Sequence, residues 1–154
     1  MDKIGERLAQ ISTDKGYFTT IRKIERARLT PFDGYDLPAL NYWPDIDVKN
    51  SAGGGYEDRE FTVFVEYHDK TRDRPFSDVS DELAADVEVA LYRDVLAGDV
   101  TDQPSYALGG LVTGLSVEAT QPEIGAGQTP FLGVLLNLTI TYKRRPDAPF
   151  QIVT

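Results

Sequence analysis

The sequence predicts an α+β domain: a mostly antiparallel sheet with one long helix packed on it and a short N-terminal helix. Three observations lead there. Glu60–His68 alternates, with Phe61, Val63, Val65 and Tyr67 on one side and Thr62, Phe64, Glu66 and His68 on the other, the period of a strand. Val79, Leu83, Val87, Leu91 and Val95 recur every four residues, and Ala84, Ala90 and Leu96 widen that stripe into the buried face of a helix. Leu132, Val134, Leu136, Leu138, Ile140 and Tyr142 alternate through FLGVLLNLTITYK, with Leu135 the one apolar residue between them. Strands grouped on either side of a single helix fit a sheet covered on one face.

The remaining elements follow in chain order. Ile4, Leu8 and Ile11 mark one face of a short helix, ended by Lys15-Gly16. Phe18 to Leu29 alternates and reads as a strand, and Pro31, Asp33, Gly34 and Asp36 form a turn. Ala39–Val48 reads as a second strand, weakened by Pro44. Asn50–Asp58, NSAGGGYED, is expected to be a flexible hairpin tip, either a plain connection or a loop that orders against a partner. The turn KTRDRPFS leads into the long helix, with Ser77 as N-cap, Asp78, Asp81 and Glu82 in its opening turns, and Gly98 as its stop. Asp86, Glu88 and Asp94 are expected to point away from the apolar stripe. Gly109-Gly110 precede a strand through Leu111, Thr113, Leu115 and Val117, and TQPEIGAGQTP (120–130) is a long loop before the last strand. One domain over residues 1–145 is expected, with 146–154 an extended or mobile tail.

At 154 residues the chain suits one core. Without cysteine and with one histidine it offers no disulfide framework, no thiolate nucleophile and poor ligands for structural zinc. No apolar run approaches the roughly 20 residues that span a bilayer. The opening MDKIGERLAQI lacks the layout of a signal peptide, so a cytoplasmic site of assembly is expected. The net charge of −9 is uneven. Residues 1–32 carry seven basic against four acidic residues, 33–102 six against eighteen, and 103–154 three against three. An acidic middle argues against tight nucleic-acid binding and suits either a solvated face or a surface that DNA passes without sticking.

The search for chemistry finds no catalytic constellation. His68 beside Asp69 suggests a base and its orienting carboxylate, but strand geometry sends the two to opposite faces. There is no G-x-S-x-G elbow, and the three glycines of 53–55 are followed by neither GK[ST] nor a helix. Asp45 and Asp47 share a strand face and are the best-spaced pair for a hard cation, against the simpler reading of a solvated face. Tyr17, Phe18, Arg22 and Lys23 interleave rings and charges as single-strand binders do, though core rings with solvated charges explain them equally. Neither catalytic residues nor cofactor is expected.

In order and character the chain resembles the tail terminator, or tail completion, proteins of long-tailed bacteriophages. The resemblance spans about residues 1–145 and rests on the short first helix, LNYWPDIDV, REFTVFVEYHD, the acidic helix VSDELAADVEVAL, and GLSVEATQPEI with FLGVLLNLTITYKRR. It implies a non-enzymatic virion protein. A homo-oligomeric ring, a hexamer, would sit at the head-proximal end of the tail, bind the tail tube protein, stop tube growth and present a surface to the head-side connector or neck protein. DNA would pass through without specific binding. On that footing Gly53, Gly54, Gly55, Tyr56, Arg144 and Arg145 are candidate contacts to a neighbouring subunit or the tube, and Asp81, Glu82, Asp86 and Glu88 candidate channel-facing acids. Another joining or tube subunit, or a small ligand-binding domain or enzyme, are the alternatives.

Overall fold

The computed structural model describes residues 1–70, 74–96, 112–119, 123–125 and 131–153. It shows an α+β fold. The elements are α1 (Asp2–Leu8), a 3₁₀ turn (Thr13–Lys15), β1 (Lys23–Arg26), β2 (Ala39–Gly53), β3 (Tyr56–Lys70), α2 (Phe76–Leu96), β4 (Gly114–Ala119), β5 (Glu123–Gly125), β6 (Phe131–Arg145) and β7 (Ala148–Val153). They build one seven-stranded sheet in the order β1-β2-β3-β6, whose far edge is shared end to end by β5, β4 and β7 along β6. The sheet is mixed: β1 runs parallel to β2, and the other pairings are antiparallel.

The alternation that marks β3 and β6 decides which face is covered. Val63, Val65 and Tyr67 stand opposite Leu138, Leu136 and Val134, and all six are buried. Leu83, Val87, Ala90 and Leu91 of α2 close over them, joined by Ile4, Leu8 and Ile11 from the N-terminal segment. Gly5 matters at this contact, because a Cβ there would run into the Tyr42 hydroxyl; α1 approaches β2 only through the missing side chain.

Several expectations are corrected. The strand expected over Phe18–Leu29 shrinks to Lys23–Arg26, because Phe18 and Thr19 give their backbone N–H groups to a carboxylate on α2 instead of a ladder. The tip expected over Asn50–Asp58 is ladder almost throughout: β2 and β3 pair as far as Gly53↔Tyr56, and only Gly54-Gly55 turn. Both have positive φ (59° and 83°), as a two-residue turn matched to strand twist requires. The tail expected to be loose pairs with β6 as β7, Lys143↔Val153 and Arg144↔Ile152. Helix α2 starts at Phe76, so Ser77 lies inside it and bonds Asp78 rather than capping. The expected stop at Gly98, the Gly109-Gly110 loop and most of loop 120–130 lie outside the described residues, apart from Glu123–Gly125, which pair with β6.

Candidate functional site

Beyond the part covered by α2, the sheet continues as an arm. Strand β2 is buried from Ala39 to Tyr42, half-buried at Trp43, and exposed at each of the ten residues from Pro44 to Gly53. Its pairing with β1 ends at Tyr42, so among the described residues the outer edge of β2 is open from Trp43 onward. Bulges between Pro44 and Asp47 and between Lys49 and Ser51 break its regularity, and with Pro44 they guard that edge against indiscriminate pairing. The arm's side chains, rather than its backbone edge, are therefore what it presents to solvent. Ile46 (56%), Val48 (45%) and Tyr56 (42%) are the large apolar residues left exposed there.

On the face that the core occupies further along, the arm carries a charge network in place of apolar packing. Glu57 is buried and lies opposite Arg144, while Arg59 lies opposite Tyr142. Glu57 accepts hydrogen bonds from Lys49 Nζ at 2.6 Å, Arg144 Nη2 at 2.8 Å and Arg59 Nη1 at 3.3 Å. Arg59 also donates Nε to Asp47 Oδ1 at 2.9 Å, and Tyr142 donates its hydroxyl to Asp47 Oδ2 at 2.9 Å. The Lys49 and Arg144 bonds hold the Glu57 carboxyl at a pKa of about 2, down from 4.5. Asp47, foremost, keeps the Arg59 guanidinium charged, and burial raises the Tyr142 hydroxyl. Six residues from three strands are thus locked into one cross-strand lattice. It went unread in the sequence, although its signal is visible there: opposite charges two apart, Asp47/Lys49 and Glu57/Arg59, lie on one face of each strand.

The structure brings Gly53, Gly54, Gly55, Tyr56, Arg144 and Arg145 to the same end of the sheet, although some 90 residues separate the two groups in sequence. The two arginines are committed within the chain. Arg144 holds Glu57, and Arg145 makes a two-pronged pair with Asp147 at 3.0 and 2.8 Å across the β6–β7 turn. Among the four candidate channel acids on α2, Asp81 and Glu88 are exposed and Glu82 pairs with Arg74. Asp86 is a correction. It is 2% exposed, and its two oxygens accept the backbone N–H groups of Phe18 (2.9 Å) and Thr19 (2.8 Å), so it cannot line a channel. Burial, partly offset by those two bonds, raises its pKa.

The other sequence candidates separate. His68 packs its ring on Phe32 (5.3 Å between centroids) and lies 3.1 Å from Glu66, on the face away from α2. Asp69 is buried on the opposite face and accepts the Tyr67 hydroxyl at 2.9 Å, so the two do not form a dyad. Asp45 and Asp47 form no cation site, because Arg59 and Tyr142 already occupy Asp47; among the described residues no group of His, Asp or Glu is placed to hold a metal ion. Tyr17 is in the core, Phe18 is exposed, and Lys23 is bound to Asp36 at 3.0 Å, which leaves no ring-and-charge stripe. A cavity of about 270 Å³ opens between Phe18, Arg22, Pro38, Asp69, Arg74 and Glu82, and His68 does not line it. No described helix is long and apolar enough to cross a membrane.

No family model matches the chain, and no curated protein matches it.

Proposed function

We propose that this chain is a tail terminator of a long-tailed bacteriophage: a non-enzymatic subunit that closes into a ring, a hexamer, on the end of the tail tube, stops its growth and joins it to the head-side connector. The observation that carries the reading is the arm. Ten consecutive exposed strand residues, Pro44–Gly53, stand clear of the helix-covered body and are stiffened by the Glu57 network. A projection of that length leaves apolar side chains in water and serves no core of its own; it fits a subunit whose cover comes from neighbours. The reading takes the fold as a mostly antiparallel sheet under one long helix, with the open β2 edge and Tyr56 at the contacts between subunits or with the tube protein. Exposed Asp81 and Glu88 would face a channel through which phosphates pass without binding.

The test is the size of the purified chain, alone and mixed with its tube protein, read by light scattering and electron microscopy. Rings that cap tubes are expected. Filaments of the chain alone would assign it to the tube instead, and a persistent monomer that ignores tubes would end the assembly reading.

A further inference from the structure

Between α1 and β1 the chain makes a closed loop beside the cavity of about 270 Å³. The Ile21 N–H donates to the Ile11 carbonyl at 3.2 Å and brings the loop's ends together. Inside it, Thr20 Oγ1 accepts the Thr13 N–H at 3.0 Å and meets the Thr13 hydroxyl at 2.9 Å, and the Tyr17 N–H turns back to the Ser12 carbonyl. Gly16, at φ 87°, makes the bend. These bonds run within the loop, the build of a compact Ω-loop. The chain is pinned at both ends: Ile11 is buried in the core, and the Arg22 N–H donates to the Pro38 carbonyl at 2.9 Å. The loop lends Thr13, Phe18 and Thr19 to the cavity lining, to which β3 adds Tyr67 and α2 adds Val79 and Glu82.

Two attachments hold this loop to the body, and each carries a cost. Asp86 of α2 accepts the Phe18 and Thr19 N–H groups, but its carboxylate is buried, and a charge withdrawn from water is expensive. Tyr17 inserts its ring into the core, but its buried hydroxyl has no hydrogen-bond partner. Phe18, beside that anchor, stays 64% exposed and adds little. On lifting, the loop keeps its internal bonds. It loses chiefly the two Asp86 bonds and the burial of one ring, and it returns a carboxylate and a phenol to water. Such a balance belongs to a segment that opens by itself. We infer that Ser12–Thr20 is a lid: it lifts from the folded body as a unit and widens the cavity toward Val79 and Glu82, while the β3–β6 ladder stays formed. The lid does not depend on the ring reading.

The test follows amide exchange of Phe18 and Thr19 in the whole chain as urea is raised below the unfolding transition. Both amides are expected to exchange faster than those of the β3–β6 ladder and with little dependence on urea, because a lifting lid exposes little surface. Tyr17→Phe removes the unpaired hydroxyl and slows both amides about tenfold. Asp86→Ala speeds tryptic cleavage after Lys15, an exposed residue next to the bend, about tenfold or more, while Arg59 in β3 stays uncut. If Asp86→Ala fails to fold, the amide rates of the parent and of Tyr17→Phe decide the matter. Phe18 and Thr19 amides that exchange together with the ladder, at one rate and one urea slope, overturn the lid. Exchange in Tyr17→Phe as fast as in the parent also overturns it, as does unchanged cleavage after Lys15 in a folded Asp86→Ala.

Discussion

Two carboxylates show how the same side-chain chemistry is put to opposite uses. Glu57 is surrounded by Lys49, Arg144 and Arg59, and its pKa falls from 4.5 to about 2. Its native pKa is below its unfolded one, so its contribution to stability is complete above pH 4.5 and is lost as the pH falls toward 2. Glu57→Gln is accordingly expected to lower the melting temperature at neutral pH, and the gap from the parent to close through that acid window. Asp86 is shifted upward by burial, so the sign reverses. Its contribution is greatest while it is protonated and declines as the pH climbs through the raised value. Asp86→Asn keeps one acceptor oxygen for the two N–H groups of Phe18 and Thr19, and its stability relative to the parent should improve as pH rises. Asp86→Ala leaves two N–H groups without their acceptor and should cost about 1–3 kcal/mol in denaturant unfolding at neutral pH.

At the scale of elements, the β2–β3 hairpin depends on its turn. Gly54 and Gly55 have positive φ and open space around them, so a substitution meets backbone strain and no clash. Gly55→Val should destabilise the arm by about 1–2 kcal/mol, whereas Gly54→Asn should be close to neutral because asparagine tolerates that region. Amide exchange from Lys49 to Arg59 reads both: faster in the first variant, unchanged in the second. Helix α2 is the other element with two duties. Its inner stripe of Leu83, Val87 and Leu91 is fully buried, while Asp86, one turn away, fastens the N-terminal segment to it.

For the whole molecule, the body carries stability and the proposed assembly role falls to the arm. The body holds the core, and the arm replaces apolar packing with ion pairs that tolerate water. Val48→Lys with Tyr56→Ser is expected to abolish ring formation or tube capping while leaving the melting temperature of the monomer within about 1 °C, since surface changes away from buried features sit near zero. Sedimentation and a thermal melt of the same sample check both halves.

The sequence alone determined the α+β class, the covered face of β3 and β6 and the inward stripe of α2, because periods of 2 and 3.6 are local properties that any solvent-excluding partner will read. It also separated His68 from Asp69, since alternation along a strand needs no tertiary information. What it could not determine was where charge ends up. Asp86 reads as one acid among many on an exposed face until the N-terminal segment folds across it; Arg144 reads as a free cation until β3 places Glu57 opposite. The same holds for glycine-rich 50–58 and the proline-containing tail, whose composition says loop although partner strands recruit them. Long-range pairing settles such cases, because a hydrogen-bonding or charged group takes its meaning from the neighbour that topology supplies.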